Sequence, residues 1–378
     1  MNLFIRLGII LLAVLSASGA FAANLEIDSA GNTSVQGSLS VSGTISGDGS
    51  GISNVDAASL GGISASGYVL QGQPDSITTG MLSDGAVTTG KVAAGAISPD
   101  NISFYSKVII VAPSGGDFTS PVDAVNSITG NSSTNPYLIK IMPGIYDIGS
   151  NSVNMKSYVD IEGSGEDTTI IKGNVDSETS GVVNGANAYL RFLTVQNYGT
   201  GTWAIAVRTT TNLRMTEMEA DVTGSAVNRA ALYVNATSGS PVIMNKVTLS
   251  VYAASGGTNC YGIYNNYYFR LREGRVTSGC PSPATNYGVY NNTTTSHPYI
   301  RSSTVSVRNG ATNYAFYNVN GDPKIEHSNV FGGAVTAAGG TVYIGSTRLS
   351  EAVIPGTGTL KCIGAYNSTF DALGTNCQ

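Results

Sequence analysis

Charge is scarce in this chain. Asp, Glu, Lys and Arg make up 11% of its 378 residues, and histidine occurs only at His297 and His327. That composition argues against a helical enzyme or a nucleic-acid binder. Histidines at metal-ligand spacing, CxxC, a Gly-x-Ser-x-Gly elbow and a phosphate loop are all missing. Their absence leaves no recognisable zinc, serine-hydrolase or nucleotide chemistry. Long apolar runs are missing too, apart from one at the beginning. There Arg6 precedes Leu7–Leu15, and Ala20-Phe21-Ala22 follows. This is the layout of a secretory signal peptide over 1–22, too short for a membrane anchor. The mature chain is expected outside the cell or on its surface, with no membrane span, cofactor or nucleic-acid partner.

What the sequence does hold is glycine, 47 residues of it, with 12 prolines and four cysteines. Gly and Pro at this level suit a turn-rich β-protein. Cys260, Cys280, Cys362 and Cys377 form an even set in an exported chain, so disulfides are expected. Three pairings exist; proximity favours Cys260–Cys280 and Cys362–Cys377. A loop of that size contributes on the order of 3 kcal/mol in the chain-entropy model.

One short sentence recurs five times. Its forms are Ala204-Ile205-Ala206-Val207, Ala231-Leu232-Tyr233-Val234, Gly262-Ile263-Tyr264-Asn265, Gly288-Val289-Tyr290-Asn291 and Ala315-Phe316-Tyr317-Asn318. The anchors Ile205, Leu232, Ile263, Val289 and Phe316 lie 27, 31, 26 and 27 residues apart. A second row, Met215, Ile243, Leu271, Ile300 and Ile325, keeps the same phase, and a third holds Val247, Val276, Val305 and Val330. Three apolar rows in phase mean about three short strands per repeat, stacked as a solenoid with coils ~4.8 Å apart. Each inward aliphatic residue then contributes about 1.5–3 kcal/mol of burial.

Strand alternation turns the residue after each anchor outward. Tyr233, Tyr264, Tyr290 and Tyr317 therefore form a row, beside the small Ala231, Gly262, Gly288 and Ala315. Such a row either stabilises the stack ring on ring or offers a strip on which sugar rings stack. These four tyrosines are the candidate ligand-binding residues. Asn265, Asn291 and Asn318 follow them, where stacked amides can bond from coil to coil. Tyr267, Tyr268, Tyr287 and Tyr299 add aromatic density without a clear register.

Residues 23–105 differ from the rest, being rich in Gly, Ser, Ala and Thr. Within them Ile77-Thr78-Thr79-Gly80, Leu82 to Gly90 and Val92 to Ile97 place a glycine every five residues, with one aliphatic residue between. One copy has too little apolar surface to fold alone. The run resembles the repeats of trimeric phage tail-fibre and adhesin stalks, which implies a homotrimer joined through this segment; the other reading is a flexible linker.

Then comes Val108-Ile109-Ile110-Val111-Ala112, followed by Gly115-Gly116-Asp117-Phe118-Thr119-Ser120. Ser120 can cap a short helix with Pro121 at its first position, and Val122, Val125 and Ile128 give it an apolar stripe. That helix should cover the open end of the stack, where bare strand edges invite aggregation. A strand ending Pro143-Gly144-Ile145-Tyr146 and the stretch Glu162-Gly163-Ser164-Gly165-Glu166-Asp167-Thr168-Thr169-Ile170-Ile171 follow. Over 108–173 this series resembles the opening of pectin methylesterases, shared with other pectin-lyase-like proteins. The resemblance implies a right-handed single-stranded parallel β-helix, expected with the repeats over 106–350; a C-terminal cap or tail carrying a disulfide is expected over 351–378.

The resemblance stops at the scaffold. Pectin methylesterases carry their two Asp, Arg and Gln on Gln-Asp-Thr and Asp-Phe-x-Phe-Gly segments, and neither occurs here. Beyond residue 173 the glutamines are Gln196 and Gln378, and the aspartates are Asp176, Asp221, Asp322 and Asp371. No catalytic residue is assigned. Asp160, Glu162, Glu166, Asp167 and Asp176 lie close enough in sequence to suggest a cation, but loop acids are ordinarily solvated, and no metal is assigned. Between 174 and 350, 12 basic residues stand against 8 acids, a surplus that suits an anionic polymer or is ordinary solubilising charge. The expectation is an exported, non-catalytic β-helix that recognises a polysaccharide or a cell-surface glycan. The alternatives are an enzyme acting on an extracellular polysaccharide and a purely structural fibre component.

Overall fold

Strands of three to five residues are too short to stand alone, and this chain has many. The computed structural model describes residues 104–378, apart from 237–238, 240, 254–256, 293–296 and 352, together with short stretches between 24 and 88. The expected signal peptide (1–22) and most of the expected stalk (23–105) lie outside the described residues. The chain divides into two units, Met1–Ala93 and Ala94–Gln378. Two small antiparallel pairs are described in the first: Asn24–Ile27 with Thr33–Gln36, and Ser59–Leu60 with Ile63–Ser64.

The second unit is a parallel β-solenoid. Among the described residues its strands form one sheet of nine and one of 18. A typical coil gives Asn259–Asn265 to the first, and Phe269–Arg272 and Arg275–Gly279 to the second. The larger sheet is two walls joined where Arg214–Val222 and Val242–Tyr252 run through the corner as single strands. At that corner one residue per coil turns the chain with positive φ: Phe192, Glu217, Lys246, Glu273, Ser302, His327 and Ser346, at 45° to 58°. None is glycine, so each coil carries a left-handed residue at a cost of about 1–2 kcal/mol.

The interior has the three expected rows. Ile263, Val289 and Phe316 stack in the first, Leu271, Ile300 and Ile325 in the second, and Val276, Val305 and Val330 in the third. All are buried. One early member of each row needs correcting. Val207, not Ile205, pairs with Leu232, and Ile205 belongs to the outer column that continues through Ala230 and Tyr261. Met244, not Ile243, stands between Met215 and Leu271. Leu249, not Val247, stands beside Val276. A one-residue slip moves a side chain to the other face, which is why Ile243 faces outward beside Arg214 and Arg270.

Buried polar groups are tied from coil to coil. Asn265 Nδ2 donates to Asn291 Oδ1 and Asn291 Nδ2 to Asn318 Oδ1, both at 2.7 Å, and all three residues are fully buried. The row ends on backbone, where Asn318 Nδ2 donates to the Gly339 carbonyl. Helix α1 (Pro121–Ser127) caps the first coils; the Ser120 hydroxyl accepts from the Asp123 amide, and Ala124, Val125 and Ile128 join the core. Disulfides link Cys260 to Cys280 and Cys362 to Cys377, the pairing that proximity favours. No helix among the described residues is long and apolar enough to cross a membrane.

Candidate functional site

The nine-stranded sheet carries the predicted tyrosine row on its outer face. Tyr233, Tyr264, Tyr290 and Tyr317 are in register on consecutive coils. A second column, Tyr261, Tyr287 and Tyr314, runs beside it and is joined by Trp203. Two neighbours three residues apart both face outward because the two residues between them both face inward. A Cβ on Gly262 would come within 2.3 Å of the Val276 side chain, and one on Gly288 within 2.5 Å of that of Val305. Ala231, Gly262, Gly288 and Ala315 therefore line the interior rather than border an outer strip. The sequence signal for the second column is the tetrad Tyr261-Gly262-Ile263-Tyr264, repeated as Tyr287 to Tyr290 and Tyr314 to Tyr317.

Ring geometry decides what this face offers. Tyr290 and Tyr317 lie 5.6 Å apart at 4°, and Tyr264 and Tyr290 5.1 Å apart at 25°. Near-parallel rings at that separation are offset-stacked, not side by side in one plane. Across the columns the contacts are edge-on, as for Tyr261 and Tyr264 at 4.9 Å and 89°. Tyr233 is 5% exposed, and the Arg208 guanidinium lies 5.7 Å from its ring. The row thus presents ring edges and hydroxyls while its faces are largely taken by neighbouring rings. Burial, followed by the neighbouring phenols, pushes Tyr264 and Tyr287 up to about 12 and Tyr261 higher still.

A different wall carries an open groove. On the first strand of the larger sheet, Arg270, Tyr299, Lys324, Tyr343 and Lys361 pair in register, one per coil. Beside them runs Arg272, Arg301, Glu326, Gly345 and Ile363. A groove of ≈ 660 Å³ lies over Arg270, Arg272, Tyr299, Lys324 and Tyr343, with exposed His297 on its lip. A smaller hollow of ≈ 260 Å³ continues it past Lys361 and Ile363. Arg270 Nε donates to the Tyr268 hydroxyl at 2.8 Å, and the Tyr299 hydroxyl donates to Glu326 at 2.7 Å. Burial, then Glu326, raises the Tyr299 pKa. The ammonium groups of Lys324 and Lys361 stand 6.0 and 5.6 Å from the Tyr343 ring. Tyr268 and Tyr299, without register in the sequence, belong to this groove.

Three of the five acids singled out in the sequence, Asp160, Glu162 and Asp176, have protein partners. Asp160 accepts from the Tyr105 hydroxyl at 2.6 Å and the Tyr189 amide at 2.8 Å. Glu162 is held by Lys140 at 2.7 Å and Arg191 at 2.8 Å, and Asp176 accepts from the Gly201 amide. On the outer face of the larger sheet, burial raises the Asp221 carboxyl despite hydrogen bonds from Gln196 and Ser250. Glu219 is raised by burial and by the charge of Asp221. No group of three or more Asp, Glu, His or Cys among the described residues is arranged to hold a metal ion. His327 occupies one of the left-handed corners.

No protein-family model and no curated protein matches the chain. Among solved structures, pectin methylesterase from carrot is similar over 69% of this chain and 82% of its own, with a TM-score of 0.47 at 15% identity. Pectin methylesterase PemA from Erwinia chrysanthemi is similar over 73% and 93%, with a TM-score of 0.42 at 11% identity. ORF18 of Geobacillus virus E2 is similar over 68% and 60%, with a TM-score of 0.35 at 12% identity. These likenesses concern the course of the chain, and no residue role passes from them to this protein.

Proposed function

We propose that the protein is an exported polysaccharide-recognition solenoid that binds its glycan without cleaving it. The observation that carries this is the groove lined by Arg270, Tyr299, Lys324 and Tyr343. It is open along several coils and combines cations with aromatic rings, as a site for an extended, hydroxyl-rich chain requires. Its carboxylates accept hydrogen bonds from the protein, Glu326 from Tyr299 and Asp322 from the Thr341 amide at 3.0 Å. Within this reading the tyrosine row of Tyr233, Tyr264, Tyr290 and Tyr317 stabilises the stack and is not the glycan platform. The two disulfides suit an oxidising exterior. The repeats of 23–105 support a homotrimer, so that three grooves would act together.

An immobilised-glycan panel run with the whole protein tests this, alongside activity assays on uronate polymers. Glycan binding that falls about tenfold in Arg270→Ala or Lys324→Ala, with an unchanged melting temperature, is the expected result. Binding that ignores both changes, or turnover of a polymer, overturns it. Mass measured with and without residues 23–105 tests the trimer, and a monomer in both cases removes it.

A further inference from the structure

We infer that the groove selects a linear acidic polysaccharide in which charged and uncharged sugars alternate. This rests on the groove being a glycan site and adds what kind of chain it takes. The outer row reads Arg270, Tyr299, Lys324, Tyr343, Lys361, one residue per coil in unbroken register. Cation and aromatic alternate from Arg270 to Lys361; one coil earlier the same column holds Ile243. Adjacent coils are ~4.8 Å apart, so the cations recur every ~9.6 Å. A β-linked pyranose advances by close to one coil rise. A chain laid along the row therefore meets a cation at one sugar and a tyrosine at the next.

The Tyr299 position also disfavours an anion. Glu326 accepts from the Tyr299 hydroxyl at 2.7 Å, which sets a carboxylate at that position. Tyr343 is exposed, with ammonium groups 6.0 and 5.6 Å from its ring, and offers a face on which a sugar can stack rather than a barrier to charge. A sugar carboxylate on every residue would meet Glu326 beside Tyr299, an unfavourable pairing that acts as selection against such a chain. The second row does not alternate: Arg272 and Arg301 add charge at one end, and Glu326, Gly345 and Ile363 follow. It orients the chain's most anionic stretch toward Arg270 without erasing the period of the first row.

The test uses the full-length protein and matched-length fragments of three probes, titrated by calorimetry. These are hyaluronan (a carboxylate on every second sugar), polygalacturonate (a carboxylate on every sugar) and neutral cello-oligosaccharides. Hyaluronan is expected to bind about tenfold tighter than either of the others and to weaken as salt rises. Lys324→Gln should weaken hyaluronan several-fold, and Tyr343→Lys, which makes that stretch of the row continuously cationic, should move preference toward polygalacturonate. Both positions are exposed, and melting temperatures check that the variants fold. Polygalacturonate binding as tightly as hyaluronan overturns the alternation while the glycan-binding reading survives. Binding of the neutral probe alone overturns the role of charge. If none of the three binds and the wider panel is also blank, both readings fall.

Discussion

Replacing Asn291 by alanine isolates what the buried amide row is worth. Its carboxamide takes part in three hydrogen bonds: from Asn265 Nδ2 at 2.7 Å, to Asn318 Oδ1 at 2.7 Å and to the Asn320 carbonyl at 3.0 Å. After truncation Asn265 Nδ2 still reaches the Tyr267 carbonyl, and Asn318 Nδ2 still reaches Gly321 and Gly339. What is stranded is one N–H of Asn265 and the side-chain oxygen of Asn318, both of residues with no exposed surface. Each unsatisfied buried group costs about 1–3 kcal/mol, so the loss should be about 2–6 kcal/mol, less if a water enters the space. Asn291→Leu is the matching control, since it fills the volume and excludes water while losing the same bonds. Urea unfolding followed by circular dichroism reads both variants. The slope of the transition must be checked, because a solenoid can open a few coils at a time. If the leucine variant unfolds within about 1 kcal/mol of the parent, packing rather than hydrogen bonding sustains the row.

Tyr290→Ala should cost about 3 kcal/mol, because its ring touches those of Tyr261, Tyr264, Tyr287 and Tyr317, whereas Tyr290→Phe should cost under about 1 kcal/mol. Thermal melts compare the two, and equal losses would mean that the hydroxyl rather than the stack matters. Asp221→Asn should raise stability at neutral pH. Burial lifts the Asp221 carboxyl above its unfolded value, so the folded state binds more protons than the unfolded one between the two values, and stability falls as pH rises through that window. The gain from asparagine should vanish below about pH 3.9, where both states are protonated; a gain that persists there would point to packing instead.

The architecture was legible because burial enforces a period. Ile263, Val289 and Phe316 must all face inward, and any residue that failed to would leave a hole in a continuous core. The register of the early coils was harder to read, because Val242, Met244, Val247, Leu249 and Val251 are all buried in one strand. Lys246, turning with φ 53°, shifts the alternation by one halfway along, and no letter in the sequence announces that shift. The second aromatic column was hidden for a related reason: two consecutive inward residues break strict alternation. The groove was the least legible. Arg270, Tyr299, Lys324, Tyr343 and Lys361 are separated by 29, 25, 19 and 18 residues, since the loops between strands vary freely in length. Outer residues align only once the inner ones have been stacked.

That difference between inside and outside has a consequence for how the molecule can change length. Its interior repeats with a unit of one coil: Leu271, Ile300, Ile325 and Ile344 are interchangeable aliphatics in the same row. From Arg270 onward the outer row repeats with a unit of two. Excising a single coil, such as the one that brings Tyr299, would leave the interior as continuous as before but set Lys324 directly against Arg270. Excising two would restore both. Evolution by whole-coil gain and loss is therefore neutral for folding at every step, and neutral for the surface pattern only at every second one.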